Sequence, residues 1–312
     1  MENSKARFQQ ELESTASCTK LRMRKFFSCQ SVTAKTSTNE TISIDGNPHQ
    51  FQHKLFSCQK DSENIVYAIV LAGGYAKRLW PLTKNTPKAL LPIAGKPILD
   101  YVMDKLEALN PPLRKIVLST NMCFQPQFKK WLASKDYRNV VLLPDDSESE
   151  EKKPGAIKAM ANITAFADED DVLIIAGDGM FNDDLSGMIE TFHEKKTPVV
   201  AFYTVKNIEE AKRCAVISAD KKGKITAFTE KPAEPKSTLV CGAVYAFPKT
   251  VKKWLAEYLA EGLPTDHPGR FVEWLYKKEP VYGYTLKDYL WDIGTHEAYK
   301  ECNQHFMQCL NP

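Results

Sequence analysis

The chain has 312 residues, 43% of them hydrophobic and 26% charged, and a net charge of +3. These are ordinary globular values with ample material for a core, and they exclude a nucleic-acid binder that relies on bulk charge. The first 64 residues hold nine Lys+Arg and seven Asp+Glu, so the rest is nearly neutral and any anion must be met by local clusters of cations.

The eight cysteines, at positions 18, 29, 58, 123, 214, 241, 302 and 309, form no CxxC pair and no metal-ligand spacing. They read as reduced thiols, which places the protein in the cytoplasm. The longest apolar runs, such as Val172–Ala176 and 240–247, are too short to span a bilayer. The N-terminus lacks the apolar core of a signal peptide, so no membrane association or secretion is expected.

Residues 1–64 are rich in Ser, Thr, Asn and Gln with hardly any apolar period, and are expected to form a polar, disordered extension with one candidate helix at 7–24. An echo of KFFSCQ at 25–30 in KLFSCQ at 54–59 reads as chance or a minor duplication, with a repeated contact site as the alternative. From residue 65 to 312 a second region follows. Strands are predicted at 65–71, 115–119, 140–143 and 172–176. Helices are predicted at 96–109, with Pro97 in the first turn, at 124–133 and at 155–166. This rhythm predicts an α/β fold, a Rossmann-like, doubly wound and mostly parallel mixed sheet with ligands at the carboxyl ends of its strands. The later half turns antiparallel, with a hairpin at 215–218 and 225–228 around Asp220-Lys221-Lys222-Gly223, and another strand at 240–247.

The first of these strands ends abruptly in Ala72-Gly73-Gly74, and the following loop carries Lys77, Arg78, Lys84 and Lys88 with no acid among them. Glycines let a backbone come close to a ligand, and unpaired cations after a buried strand suit a polyphosphate. The spacing is neither that of a P-loop nor that of a dinucleotide fingerprint. It resembles the entry motif of the sugar-phosphate nucleotidyltransferases (NDP-sugar pyrophosphorylases), L-A-G-G-x-G-T-R-L-x-P-L-T, then P-K, then L-P-x-x-G-K-P. The match covers Leu71 to Gly74, Arg78-Leu79, Pro81 to Thr83, Pro87-Lys88, Leu91-Pro92 and Gly95 to Pro97. Ala76-Lys77 replaces the Gly-Thr of the pattern.

Three further segments extend the resemblance. Gly177-Asp178 follows an apolar strand; by itself the spacing favours a helix cap, and the resemblance makes Asp178 a magnesium (Mg2+) ligand. Asp183 and Asp184 read as caps of the next helix. Glu230-Lys231-Pro232, followed by Cys241-Gly242-Ala243-Val244-Tyr245, reads in isolation as a solvated ion pair. The resemblance implies that Lys231 grips the phosphate of a sugar phosphate, Glu230 accepts sugar hydroxyls and Gly242 leaves room for the ring, making the inserted antiparallel part sugar-binding. Trp291-Asp292-Ile293-Gly294-Thr295 is similar to W-x-D-x-G-T, which makes Asp292 the second metal carboxylate. Thr295 is an N-cap candidate and His296 incidental.

By the same resemblance Arg78 and Lys88 join Lys231 as catalytic cations, and Leu71, Ala72, Gly73, Gly74, Lys77, Gly155 and Gly177 line the nucleotide. The implied reaction joins an NTP to a sugar 1-phosphate, giving an NDP-sugar and pyrophosphate. A homo-oligomer is compatible with it. Two alternatives stay open: a catalytically silent nucleotide-binding regulatory subunit, and a transferase acting on a non-sugar phosphate such as phosphocholine. No hexapeptide repeat occurs, so an appended left-handed β-helix is not expected. Two segments fit less well. The acidic run Asp145 to Glu151 should swing outward or cover the base, because it would repel phosphate. Arg270, in Asp266-His267-Pro268-Gly269-Arg270-Phe271, is either an aid to the sugar phosphate or a surface residue.

Overall fold

The computed structural model describes residues 31–35, 41–45, 67–137, 139–147, 149, 151, 153–166 and 170–310. In chain order these form β1 (Ser31–Lys35), β2 (Thr41–Asp45), β3 (Tyr67–Leu71), β4 (Pro92–Ile93), β5 (Lys96–Pro97), α1 (Ile98–Glu107), β6 (Lys115–Asn121), α2 (Gln125–Ala133), β7 (Val140–Asp145) and α3 (Ala156–Phe166). There follow β8 (Val172–Ala176), β9 (Gly179–Met180), α4 (Ser186–Lys195), β10 (Val199–Thr204), α5 (Ile208–Ala211), β11 (Ala215–Ala219), β12 (Ile225–Glu230) and β13 (Leu239–Phe247). The last elements are α6 (Val251–Ala260), α7 (Pro268–Leu275), β14 (Tyr282–Thr285), β15 (Trp291–Asp292) and α8 (His296–Leu310).

The apolar run at 67–71 forms β3 because it is covered on both faces, as a parallel strand must be. Ala68 and Val70 point into one layer with α1, α2 and α4, among Leu99, Val102, Phe128 and Met188. Tyr67 and Ile69 point the other way, among Ile157 and Met160 of α3, Leu255 of α6 and Phe271 of α7. The strand period of two thus sorts one short run between two helix layers. Among the described residues no helix is long and apolar enough to cross a membrane.

β3 lies between β6 and β8 and is parallel to both, and β7 continues the parallel set beyond β6. On the other side β13 runs antiparallel to β8 and carries β10 and the β11–β12 hairpin, while β14 pairs parallel with β10. The mixed sheet therefore keeps its parallel pairings mainly in the middle and its antiparallel ones at the margins. The chain leaves β3 for β6 and β7 and returns to β8 on the opposite side. This is a topological switch point, where a crevice opens at the carboxyl ends.

The extension departs from expectation. β1 and β2 pair antiparallel, and β1 adds antiparallel to β7, so ten residues of the supposed arm belong to the sheet. An edge such as β7 offers unpaired backbone groups, and a strand added there needs only local β-branched content, not a long apolar period. The candidate helix at 7–24 and both copies of the echo lie outside the described residues. The helix predicted at 96–109 begins two residues late, because Lys96 and Pro97 pair with Pro92 and Ile93 instead.

Candidate active site

The glycine turn stands at the switch point. The Ala72 N–H donates to the Ser119 carbonyl (2.8 Å), and the Gly177 N–H donates to the Leu71 carbonyl (2.8 Å), which sews together the ends of β3, β6 and β8. Asn121, fully buried, donates from Nδ2 to the Gly73 carbonyl (3.0 Å) and accepts from the Phe124 N–H (2.9 Å). A Cβ added at Gly74 would meet nothing within 4 Å, so this backbone is open to a ligand. Ala76 has φ 46°, the left-handed region that glycine would occupy without strain. Its carbonyl, which accepts from Leu79 N–H (2.9 Å) and Thr83 Oγ1 (2.8 Å), holds it there.

The loop cations are less solitary than their sequence suggests. The Lys88 ammonium, with only 10% of its side chain exposed, lies 2.8 Å from Asp178 Oδ2. Lys77 Nζ lies 2.5 Å from Glu151 Oε1, and both side chains are exposed. That hydrogen bond holds the Glu151 carboxyl down at about 2. Glu151, at the end of the acidic run, thus reaches back to the loop after the turn instead of swinging away. The first member of the run, Asp145, faces Gly73, where a Cβ would stand 3.7 Å from Oδ2. Burial pushes that carboxyl up, against the hydrogen bonds from Ser147. The Tyr75 hydroxyl donates to the Ser147 carbonyl (2.9 Å) and fastens the run to the turn.

The two candidate metal carboxylates come from adjoining segments, Asp178 from the turn before β9 and Asp292 from β15. β9 and β15 pair antiparallel with Asp292 opposite Gly179, the residue after Asp178. Neither aspartate is spent as a helix cap. Asp184 Oδ1 accepts from the Ser186 N–H at the start of α4 (2.8 Å), and Thr295 Oγ1 accepts from the Ala298 N–H in α8 (3.2 Å). Asp183 instead accepts from the Asp288 N–H (2.9 Å). The Arg78 guanidinium lies over Gly294, where an added Cβ would come within 3.2 Å of it. His296 has a task after all, since its Nε2 sits 2.8 Å from the Trp80 carbonyl and ties α8 to the Arg78 loop.

In the Glu230-Lys231-Pro232 segment, the Lys231 backbone N–H donates to the Cys214 carbonyl (3.1 Å). The Cys214 thiol is pushed up to about 11, mainly by burial and then by the nearby Asp292 carboxylate, with a smaller push from Glu230. Cys214 therefore lies within electrostatic reach of both Asp292 and Glu230. Burial also raises the Glu230 carboxyl, while Lys231 and Arg270 pull it back. Lys231 Nζ lies 2.7 Å from His267 Nε2, a contact that the sequence did not announce.

Three glycines expected to line ligands face the chain's own atoms. A Cβ on Gly155 (φ +89°) would stand 2.4 Å from the Thr265 carbonyl oxygen. One on Gly177 would meet Ala72 and Val70 side chains at 3.1 Å, and one on Gly242 would meet Leu290 Cδ1 at 3.1 Å. The room predicted for a sugar ring at Gly242 is thus filled by a leucine, because β13 turns this position into the core. A glycine in sequence marks close approach without saying to what.

A family model described as Nucleotidyl transferase matches residues 67–308. The chain belongs to the nucleotidyl transferase family. Its relatives within that family include the Bifunctional protein GlmU of Methanocaldococcus jannaschii, 30% identical over 244 residues, which are 78% of this chain and 55% of that protein. The glucose-1-phosphate adenylyltransferase of Geobacter metallireducens is 30% identical over 271 residues, 77% of this chain and 65% of that protein. The chain spans about half to two thirds of the length of these two nucleotidyl transferases. The structure of a putative glucose-1-phosphate thymidylyltransferase from Bacillus anthracis, solved with a sucrose, superposes with a TM-score of 0.68 at 25% identity and covers 78% of this chain and 95% of that one. The names of these relatives carry different nucleotides, so membership leaves the base open.

Proposed function

We propose that the protein transfers a nucleotidyl group from an NTP to a sugar 1-phosphate. A phosphate oxygen of the sugar phosphate attacks the α-phosphorus, the α–β bond breaks, and pyrophosphate leaves with its electron pair. The observation that carries this reading is the pairing of Asp292 against Gly179, which brings the backbones of Asp178 and Asp292 together, with Lys88 on the Asp178 carboxylate and Arg78 over Gly294, two residues beyond Asp292.

The nucleophile is already ionised at neutral pH, so no general base is required. The difficulty is bringing polyanions together, since two unit charges at ~4 Å repel by about 4 kcal/mol at an effective dielectric near 20. The open backbone at Gly73 and Gly74 receives the nucleotide, Arg78 takes the departing pyrophosphate, and Lys88 contacts the nucleotide phosphates. Lys231 holds the sugar phosphate, and Glu230 beside it accepts sugar hydroxyls. Together they fix the in-line geometry.

The residues fit magnesium. Among the described residues no group of three His, Cys, Asp or Glu could hold a metal ion by itself. Mg²⁺ suits such a site, because it is commonly bound through one or two carboxylates together with substrate phosphates and water. Asp178 and Asp292 would hold it, and when bound it supplies charge neutralisation at the phosphates.

The test is pyrophosphate release from each NTP with a panel of sugar 1-phosphates and phosphocholine, in the presence of Mg²⁺. Release with one sugar 1-phosphate supports the reading; release with phosphocholine alone, or nucleotide binding without release, replaces it. The Lys77–Glu151 pair offers a further check. Glu151→Gln is expected to lower the KM for the NTP by about two- to fivefold, the scale of one exposed charge pair screened by water. An unchanged KM would remove Lys77 from the phosphate contacts.

A further inference from the structure

We infer that His267 is a positioning residue that aims the Lys231 ammonium at the phosphate of the sugar 1-phosphate. The inference rests on the function proposed above.

Lysine is a flexible cation whose ordering is costly in side-chain entropy, so a phosphate site built on one gains from a fixed acceptor. Lys231 has φ 49°, and its backbone is tied to the Cys214 carbonyl, but those constraints stop at the Cα. Its ammonium is held separately, against the His267 ring, 2.7 Å from Nε2 and 3.4 Å from Nδ1.

His267 is itself fastened on both sides. Two residues earlier, the Thr265 carbonyl accepts from the Ile157 N–H (3.0 Å), and Thr265 Oγ1 donates to the Pro154 carbonyl (2.9 Å). One residue later α7 begins at Pro268. Gly269 lies so close to Glu230 that a Cβ would come within 1.8 Å of its carboxylate. The backbone that carries the ring is therefore anchored to the loop before α3 and packed against Glu230.

The imidazole must be neutral for the ammonium to rest against it, because a protonated ring would repel it. Burial holds its pKa down first, then Lys231; Arg270 and Lys153 add to this, and Asp266 opposes them. Asp266 Oδ2 lies 3.1 Å from Nε2, and Asp266 Oδ1 lies 3.4 Å from Arg270 Nε.

The experiment compares the wild type with His267→Met, which keeps bulk without an acceptor, and His267→Gln, which returns one near the Nε2 position. The readout is steady-state kinetics with the best sugar 1-phosphate of the panel and Mg²⁺. The methionine variant is expected to raise the KM for the sugar phosphate about 3- to 10-fold, the scale of one side chain left to be ordered on binding. The KM for the NTP should stay within twofold, and the glutamine variant should lie close to the wild type. The wild-type advantage over the methionine variant should shrink between pH 7.5 and 5.5, as the imidazole gains its proton below the ordinary range. Taking the ratio at each pH cancels titration of the substrate itself. Equal sugar-phosphate KM values in all three proteins, or parallel losses for both substrates, would overturn the inference alone. A wild type that releases no pyrophosphate with any pair would overturn the proposed function, and this inference with it.

Discussion

Asp178→Asn is expected to cut pyrophosphate release by about 10³-fold while leaving the protein folded. The magnitude is that of removing one preorganised electrostatic partner of a developing charge, roughly 3–4 kcal/mol of barrier. The fold is spared because Asn keeps an oxygen that can accept from the Lys88 ammonium, which is 10% exposed and lies 2.8 Å from the carboxylate. Asp178→Ala should behave differently. It leaves Lys88 nearly buried without that partner, which costs about 1–3 kcal/mol in stability as well. Pyrophosphate release and thermal melting, measured on both variants, separate the two effects. Release by the asparagine variant within tenfold of the wild type would remove Asp178 from the reaction.

Gly155→Ala is expected to have the largest effect on stability. At φ +89° an alanine is strained by about 1–2 kcal/mol. Its Cβ would also overlap the Thr265 carbonyl oxygen at 2.4 Å. That atom is backbone held by the Ile157 N–H, so it cannot swing aside as a side-chain end would, and overpacking of this kind adds about 1–3 kcal/mol. A total near 3 kcal/mol predicts a melting temperature lower by about 6–12 °C for a domain of this size. Because Thr265 leads directly to His267, the sugar-phosphate KM should rise too. A melting temperature unchanged within a degree would mean that the contact is not tight.

How much of this was legible follows the range of each interaction. The helix over Ala156–Phe166 and the strands Val172–Ala176 and Tyr67–Leu71 were readable because apolar periodicity is local. The strand Val199–Thr204 and the edge hairpin were not singled out. The first has its meaning only beside β13 and β14, and the second only on the edge of β7. Aspartates 178 and 292 were found through their motifs. Asp184 and Thr295 accept from the first-turn N–H groups of the two following helices, as their positions predict, and this leaves Asp178 and Asp292 out of that task.

The sequence alone determined the parallel strands at the centre of the sheet, where the open glycine turn falls, and which charged side chains are available to meet phosphate. Tertiary structure decided who stands next to whom: Lys77 beside Glu151, 74 positions away, and Lys231 beside His267, 36 positions away. It also turned Gly155, Gly177 and Gly242 toward the chain's own atoms. Hydrophobic period and turn chemistry are properties of neighbours along the chain. Charge pairing and close packing depend on distance in space, which only the path from β3 to β7 and back to β8 sets.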